Sequence, residues 1–156
     1  MSLTWLLTAI IFSVDLLVKT HLRINFPLQS IPLINNFLHI TVIFNTGAAF
    51  GIFRDKTLPL IVIGVIFILF FLLLIKNEIK NSCWSKIACG LILGGAISNL
   101  YDRISLGYVV DYIDFRIWPV FNISDTCITV GVFILLFQSL RKKSDKGLAY
   151  KKDNGQ

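Results

Sequence analysis

LPLIVIGVIFILFFLLLI, residues 58 to 75, carries no charged side chain. As a helix it rises about 1.5 Å per residue and so nearly crosses a hydrocarbon core of about 30 Å. Three other stretches read the same way with interruptions. Residues 127 to 140 (CITVGVFILLFQSL) extend upstream through Asn122 to Asp125. Residues 4 to 18 (TWLLTAIIFSVDLLV) are apolar except for Asp15 and small hydroxyls, and residues 87 to 104 (IACGLILGGAISNLYDRI) are apolar until Asn99, Asp102 and Arg103. The pattern predicts one membrane domain over residues 1–140, mainly α, with four transmembrane helices at about 4–20, 58–75, 87–104 and 123–140, followed by a tail over 141–156.

The composition agrees. Of 156 residues, 55% are hydrophobic, and a soluble domain of this size buries only part of its surface. The first apolar stretch is not read as a cleaved secretory leader, because a basic n-region is missing and Asp15 interrupts the apolar core. It is expected to remain as the first span.

The net charge of +6 invites a nucleic-acid reading, but its placement opposes one. Arg141, Lys142, Lys143, Lys146, Lys151 and Lys152 lie in the tail, and Lys76, Lys80 and Lys86 in the short loop between spans two and three. Basic residues in short loops mark the cytoplasmic side. Both termini are therefore expected inside, and the tail is expected to be solvated and flexible. The three cysteines have no metal-ligand spacing and read as small buried apolar side chains.

This orientation sends Asp15, Asn99, Asp102 and Asp125 to the outer ends of their spans, joined by Asn45, Asp55, Asp111 and Asp114 from the outer segments 19–57 and 105–121. A mid-membrane carboxylate costs about 2.5–3.5 kcal/mol on insertion scales and is a functional candidate by default. One such residue could cap or snorkel; several at one depth point to a site. In the long outer segment, Leu38, Ile40, Val42 and Phe44 alternate with His39, Thr41, Ile43 and Asn45. That is the period of an amphipathic strand, expected on the outer leaflet. Gly47 and Gly51, in NTGAAFG, permit close backbone approach.

The usual serine-hydrolase, zinc-protease and Walker motifs are absent from the sequence. His21 and His39 stand without a partner motif, and Asp111 and Asp114, three apart in an extended segment, would face opposite ways, so no metal site and no cofactor is expected. Carboxylates remain, and two suffice for amide hydrolysis. One, ionised, takes a proton from water while its protonated neighbour donates to the carbonyl, because adjacent carboxyls cannot both ionise readily. Two other readings stand beside this one. A non-enzymatic ion- or proton-coupled subunit would use Asp15, Asp102 and Asp125 as relays, and a metal-dependent lipid transferase would want carboxylates on the cytoplasmic side.

Four blocks resemble the lipoprotein signal peptidase (signal peptidase II) family: the Asp15 to Lys19 element, FNTGAAFGIF (44–53), GGAISNLYDRI (94–104), and VVDYIDF followed by WPVFNISDTCI (109–128). The resemblance implies a metal-free aspartyl peptidase of the bacterial inner membrane with Asp111 and Asp125 as the catalytic pair. Support falls to Asp15, Asn45, Gly47, Asn99, Asp102, Arg103 and Asn122. It also implies a small extracytoplasmic β-cradle, diacylglyceryl-prolipoprotein substrates cut before the lipidated cysteine, and sensitivity to globomycin-type cyclic peptides; membrane lipid is the other expected partner, and because one chain contains a whole site, action as a monomer is expected. Three positions depart from the family pattern: Leu16 where Gln is usual, Ser98 where Gly is usual, and Ser124 where Ala is common.

Overall fold

A computed structural model describes residues 3–48, 53–78 and 82–153. The elements in chain order are α1 (Leu3–Asn25), β1 (Ser30–Ile34), β2 (Leu38–Asn45), α2 (Thr57–Glu78), α3 (Cys83–Leu106), β3 (Val109–Asp114) and α4 (Ile123–Asp153). All four helices are long and apolar enough to cross a membrane. They overrun the apolar windows read from sequence because helical hydrogen bonding continues into interfacial polar residues, where hydropathy has already fallen. The overrun is largest in α4. Its apolar part ends at Arg141, yet the backbone stays helical through Asp153, so most of the tail expected to be flexible is helix.

α3 is the central helix. Most of its span is buried, against less than a third of each of the others, whose apolar faces lie outward. Phe71 and Ile75 of α2 pack there with Cys89, Ile92 and Leu93 of α3. Cys89 is buried, whereas Cys83, expected inside, is exposed at the first turn of α3. α3 stops at Gly107, whose φ of 84° lets its N–H reach the Arg103 carbonyl at 3.1 Å. A left-handed glycine in that place is a common helix terminator. It turns the chain directly into β3.

The strands form one antiparallel sheet in the order β1-β2-β3, at the end of the bundle where α1 and α3 finish and α2 and α4 begin. The β1–β2 hairpin turns through Asn36, at φ 59°, a conformation asparagine tolerates. β2 covers the alternating stretch, but the alternation does not survive intact. Ile40 pairs with Ile113 while Ile43 pairs with Asp111, so β2 carries one extra residue against β3. Side chains before and after this bulge therefore swap faces. Thr41 joins Asp114 on one face, and Asn45 joins Asp111 on the other, although sequence parity puts Thr41 and Asn45 together.

Candidate active site

β3 holds Asp111, which is 2% exposed. After β3 the chain folds back so that Phe121 bridges Ile113, its N–H donating to the Ile113 carbonyl at 3.1 Å. This return delivers Asn122 and the first turn of α4 beside Asp111. Asn122 caps α4: Asp125 N–H donates to Asn122 Oδ1 at 2.9 Å, and Asn122 N–H donates back to Asp125 Oδ2 at 3.3 Å. The reciprocal pair is a capping box with Asn and Asp in the two roles. It fixes where the Asp125 carboxylate points.

Each oxygen of both carboxylates receives a hydrogen bond. Asp111 Oδ1 accepts from Asn122 Nδ2 at 2.7 Å and Oδ2 from Asn45 Nδ2 at 2.8 Å. Asp125 Oδ1 accepts from Asn99 Nδ2 at 2.8 Å, with Oδ2 held by the cap. Burial first, and the nearby Asp125 charge second, push the Asp111 carboxyl up to about 7, against the opposing bonds from Asn45 and Asn122. A carboxyl there holds its proton near neutrality, and two adjacent carboxyls give up their protons one at a time. That is the division of roles a two-carboxylate hydrolysis needs.

Both carboxylates open onto a cavity of about 1120 Å³, also lined by Asn45, Gly47, Asn99 and Arg103. Phe44, Val109, Phe121, Ile128 and Val130 supply an apolar wall, so an apolar chain and a polar scissile group would be accommodated side by side. Arg103 donates to the Gly47 carbonyl at 3.1 Å and the Asn99 carbonyl at 3.4 Å, while its buried Nε has no partner among the described residues. Gly51, the other glycine of NTGAAFG, lies outside the described residues.

The remaining sequence candidates lie behind this wall. Asp15, Asp102 and Asn122 are buried and do not line the cavity. Asp102 accepts from Val110 N–H at 3.3 Å, tying α3 to β3. Asp114 faces the other side of the sheet from Asp111, bonded to Thr41 and ion-paired with Arg116 at 3.1 Å. Although burial alone would raise it, those bonds hold its carboxyl below the usual range. Asp111 and Asp114 thus do not converge, and among the described residues no group of three or more His, Cys, Asp or Glu could hold a metal.

A family model described as signal peptidase (SPase) II matches residues 7–141. The chain belongs to the signal peptidase II family. It is 39% identical over 143 residues to the lipoprotein signal peptidase of Moorella thermoacetica, covering 91% of this chain and 95% of that protein. To the lipoprotein signal peptidase of Halothermothrix orenii it is 44% identical over 123 residues, covering 79% and 82%. A solved bacterial membrane enzyme superposes with a TM-score of 0.82 at 30% identity, covering 92% of this chain and 90% of that one. A second does so at 0.77 and 30%, covering 88% and 92%. With its four apolar helices, this family member is a multi-pass membrane protein.

Sequence reasoning named Lys19, Ser98 and Ser124 but gave none of them a partner in this network. Lys19 stood at the end of the Asp15 to Lys19 element and the start of the outer segment. It is 1% exposed inside α1, with Nζ 2.7 Å from Asp15 Oδ2 and 3.0 Å from Asp102 Oδ2. The i,i+4 spacing of Asp15 and Lys19 was the available signal. Ser98 and Ser124 read as replacements of one small residue by another. Their hydroxyls both donate to Asp15 Oδ2 at 2.6 Å, and Ser124 N–H donates to Asp15 Oδ1 at 3.3 Å. Asp15 is therefore an anchor joining α1, α3 and the first turn of α4.

Proposed function

We propose that this chain is an aspartyl endopeptidase that removes the signal peptide from diacylglyceryl-modified prolipoproteins, cutting before the lipidated cysteine. The observation that carries the reading is two carboxylates, Asp111 and Asp125, facing one half-apolar cavity with asparagine donors on both. Family membership and lipoprotein signal peptidase relatives support the substrate class.

In the reaction, the ionised member of the pair takes a proton from a water molecule as its oxygen attacks the scissile carbonyl. The protonated member donates to the carbonyl oxygen, giving a neutral tetrahedral diol. Collapse breaks the C–N bond, with a proton passing to the leaving nitrogen and the pair returning to its singly protonated state. The pair titrates as one unit. Asn45, Asn99 and Asn122 hold the carboxylates in place. Arg103, with a free N–H at Nε, is positioned to bind a substrate carbonyl, and the Gly47 turn lets a substrate backbone approach closely.

The basic residues of the short loop and tail favour the cytoplasm for both termini. The cavity then opens near the outer face of the bacterial inner membrane, where the lipidated cysteine of a translocated precursor lies. One chain supplies the whole arrangement, so a monomer suffices, and globomycin-type cyclic peptides are expected to occupy the same cavity.

The deciding experiment is cleavage of a diacylglyceryl-modified prolipoprotein peptide by the purified protein in EDTA. Asp111→Asn and Asp125→Asn, each inserted normally in the membrane, should lower turnover by about 10³-fold or more. Activity lost in EDTA and restored by metal would sink the reading. Cleavage retained in either Asn variant would show that the wrong carboxylate was chosen.

A further inference from the structure

Three asparagine amides surround the carboxylate pair, and each has its polarity imposed by a group that can only donate. Gly47 N–H donates to Asn45 Oδ1 at 2.9 Å, so Asn45 presents its NH₂ to Asp111. Asp125 N–H donates to Asn122 Oδ1 at 2.9 Å, so Asn122 presents its NH₂ to Asp111. Both of those donors are backbone groups. For Asn99 the donors are side chains: Lys19 Nζ, 2.8 Å from Asn99 Oδ1, and Asn122 Nδ2, farther off at 3.1 Å and without a charge.

An ammonium has three donors and no acceptor, so the Asn99 atom it meets must be the oxygen. The amide nitrogen then has to face Asp125 Oδ1, which it does at 2.8 Å. Turned over, the amide would set NH₂ against NH₃⁺ and oxygen against a carboxylate, a repulsion at each end. The three N–H groups of Lys19 match its three close partners, Asp15, Asp102 and Asn99. The two carboxylates leave one N–H of this buried ammonium to pair, and the Asn99 oxygen takes it.

We infer that Lys19 is a positioning residue for the peptidase reaction, acting through Asn99: as the closer and charged of the two donors on that amide's oxygen, it keeps an N–H donor on Asp125. Lys19 lies in α1, is buried, and does not line the cavity, so it reaches the reacting groups only through another residue. The inference rests on the reading of Asp111 and Asp125 as the catalytic pair.

A kinetic double-mutant cycle on the full chain, with Lys19→Met and Asn99→Ala and a diacylglyceryl-modified prolipoprotein peptide as substrate, tests it. Lys19→Met should lower kcat by about tenfold to a hundredfold, less than the roughly 10²–10³ for a directly removed transition-state donor because Lys19 acts through another residue, with KM little changed. In the Asn99→Ala background the same change should alter kcat by no more than about twofold, because the amide it acts through is gone. Equal losses in both backgrounds would overturn the inference, since a structural or long-range charge effect adds independently. Unchanged kcat would also overturn it.

If Lys19→Met does not fold, the same cycle is run in an Asp102→Asn background. There one buried carboxylate has been neutralised, and Asp15 keeps its serine donors. Failure to fold there too would overturn the inference, because Lys19 would then serve the fold itself. Asp111→Asn is assayed alongside. Cleavage by that variant would overturn the reading of the pair, whereas an inactive Asp111→Asn with additive Lys19 effects overturns the role of Lys19 alone.

Discussion

Asn45 Nδ2 donates to Asp111 Oδ2 at 2.8 Å, a contact that exists because β2 carries one more residue than β3 between Ile40 and Ile43. Without the bulge, Asn45 would share a face with Thr41 and point away from Asp111. The Asn45 N–H favours the charged form of Asp111, opposing the burial that pushes this carboxyl up to about 7. In Asn45→Ala that opposition is lost, and the singly protonated pair should persist to higher pH. The alkaline limb of the kcat–pH profile, expected near 7 in the parent, should move upward while the peak rate falls. A limb that stays in place or moves down would show that Asn45 does not tune this carboxyl.

Asp114 provides the control for geometry. It lies three residues from Asp111 in β3, but it bonds Thr41 and half-exposed Arg116 on the other face of the sheet. Its ion pair reaches solvent, and such pairs contribute about 0–1 kcal/mol. Asp114→Asn should therefore keep kcat within about threefold of the parent, a change under 1 kcal/mol in barrier height. Steady-state cleavage rates check this, and a loss comparable to that of Asp111→Asn would mean the sheet faces are wrongly assigned.

The folded-state ionisation of Asp111 also has a signature in stability. An unfolded aspartyl group titrates near 3.9, against about 7 in the folded chain. Between those values the unfolded state is ionised while the folded state still holds its proton. Stability must then fall as pH rises through that window and level off above it. Asp111→Asn removes this slope. Thermal unfolding in detergent micelles should show the variant gaining on the parent from about pH 4 to about pH 7, with a constant gap beyond. Parallel curves across the window would place the Asp111 carboxyl at an ordinary value.

The membrane helices were legible in sequence because apolar runs report the solvent a segment must meet, and the strand at Leu38 to Asn45 because alternation reports a half-buried surface. Asp111 and Asp125 were named from the family resemblance of their sequence blocks, and the structure sets both on one cavity. The bulge left no mark in the sequence: its register depends on β3, some seventy positions away. Lys19 was misplaced for a related reason. A lysine at a span end is ordinarily interfacial, and only the fold brings Asp102 and Asn99 to where it becomes a buried hub. Ser98 and Ser124 looked inert because a hydroxyl reports its partner only when the partner, Asp15 on another helix, is in view.

Gly95 marks where α3 and α4 meet backbone to backbone, and its substitution should reach the carboxylate pair. A Cβ at Gly95 would collide with the Ser124 carbonyl oxygen and lie 2.9 Å from Ile128 Cγ1. The first turn of α4 cannot easily retreat, since Ser124 is bonded to Asp15 and the Asn122–Asp125 capping box holds the same turn. The helices must therefore separate near the Asn99–Asp125 hydrogen bond. Gly95→Ala should destabilise the fold by about 1–3 kcal/mol, the usual range for overpacking, and lower kcat by more than the loss of folded protein explains. Gly64→Ala is the comparison. Its new Cβ would meet only the Leu100 Cδ1 atom, at 3.3 Å, the far end of a side chain that can swing aside. Thermal unfolding and cleavage measured on both variants decide the matter. Equal behaviour of the two would show that the α3–α4 contact at Gly95 has slack that this packing does not allow.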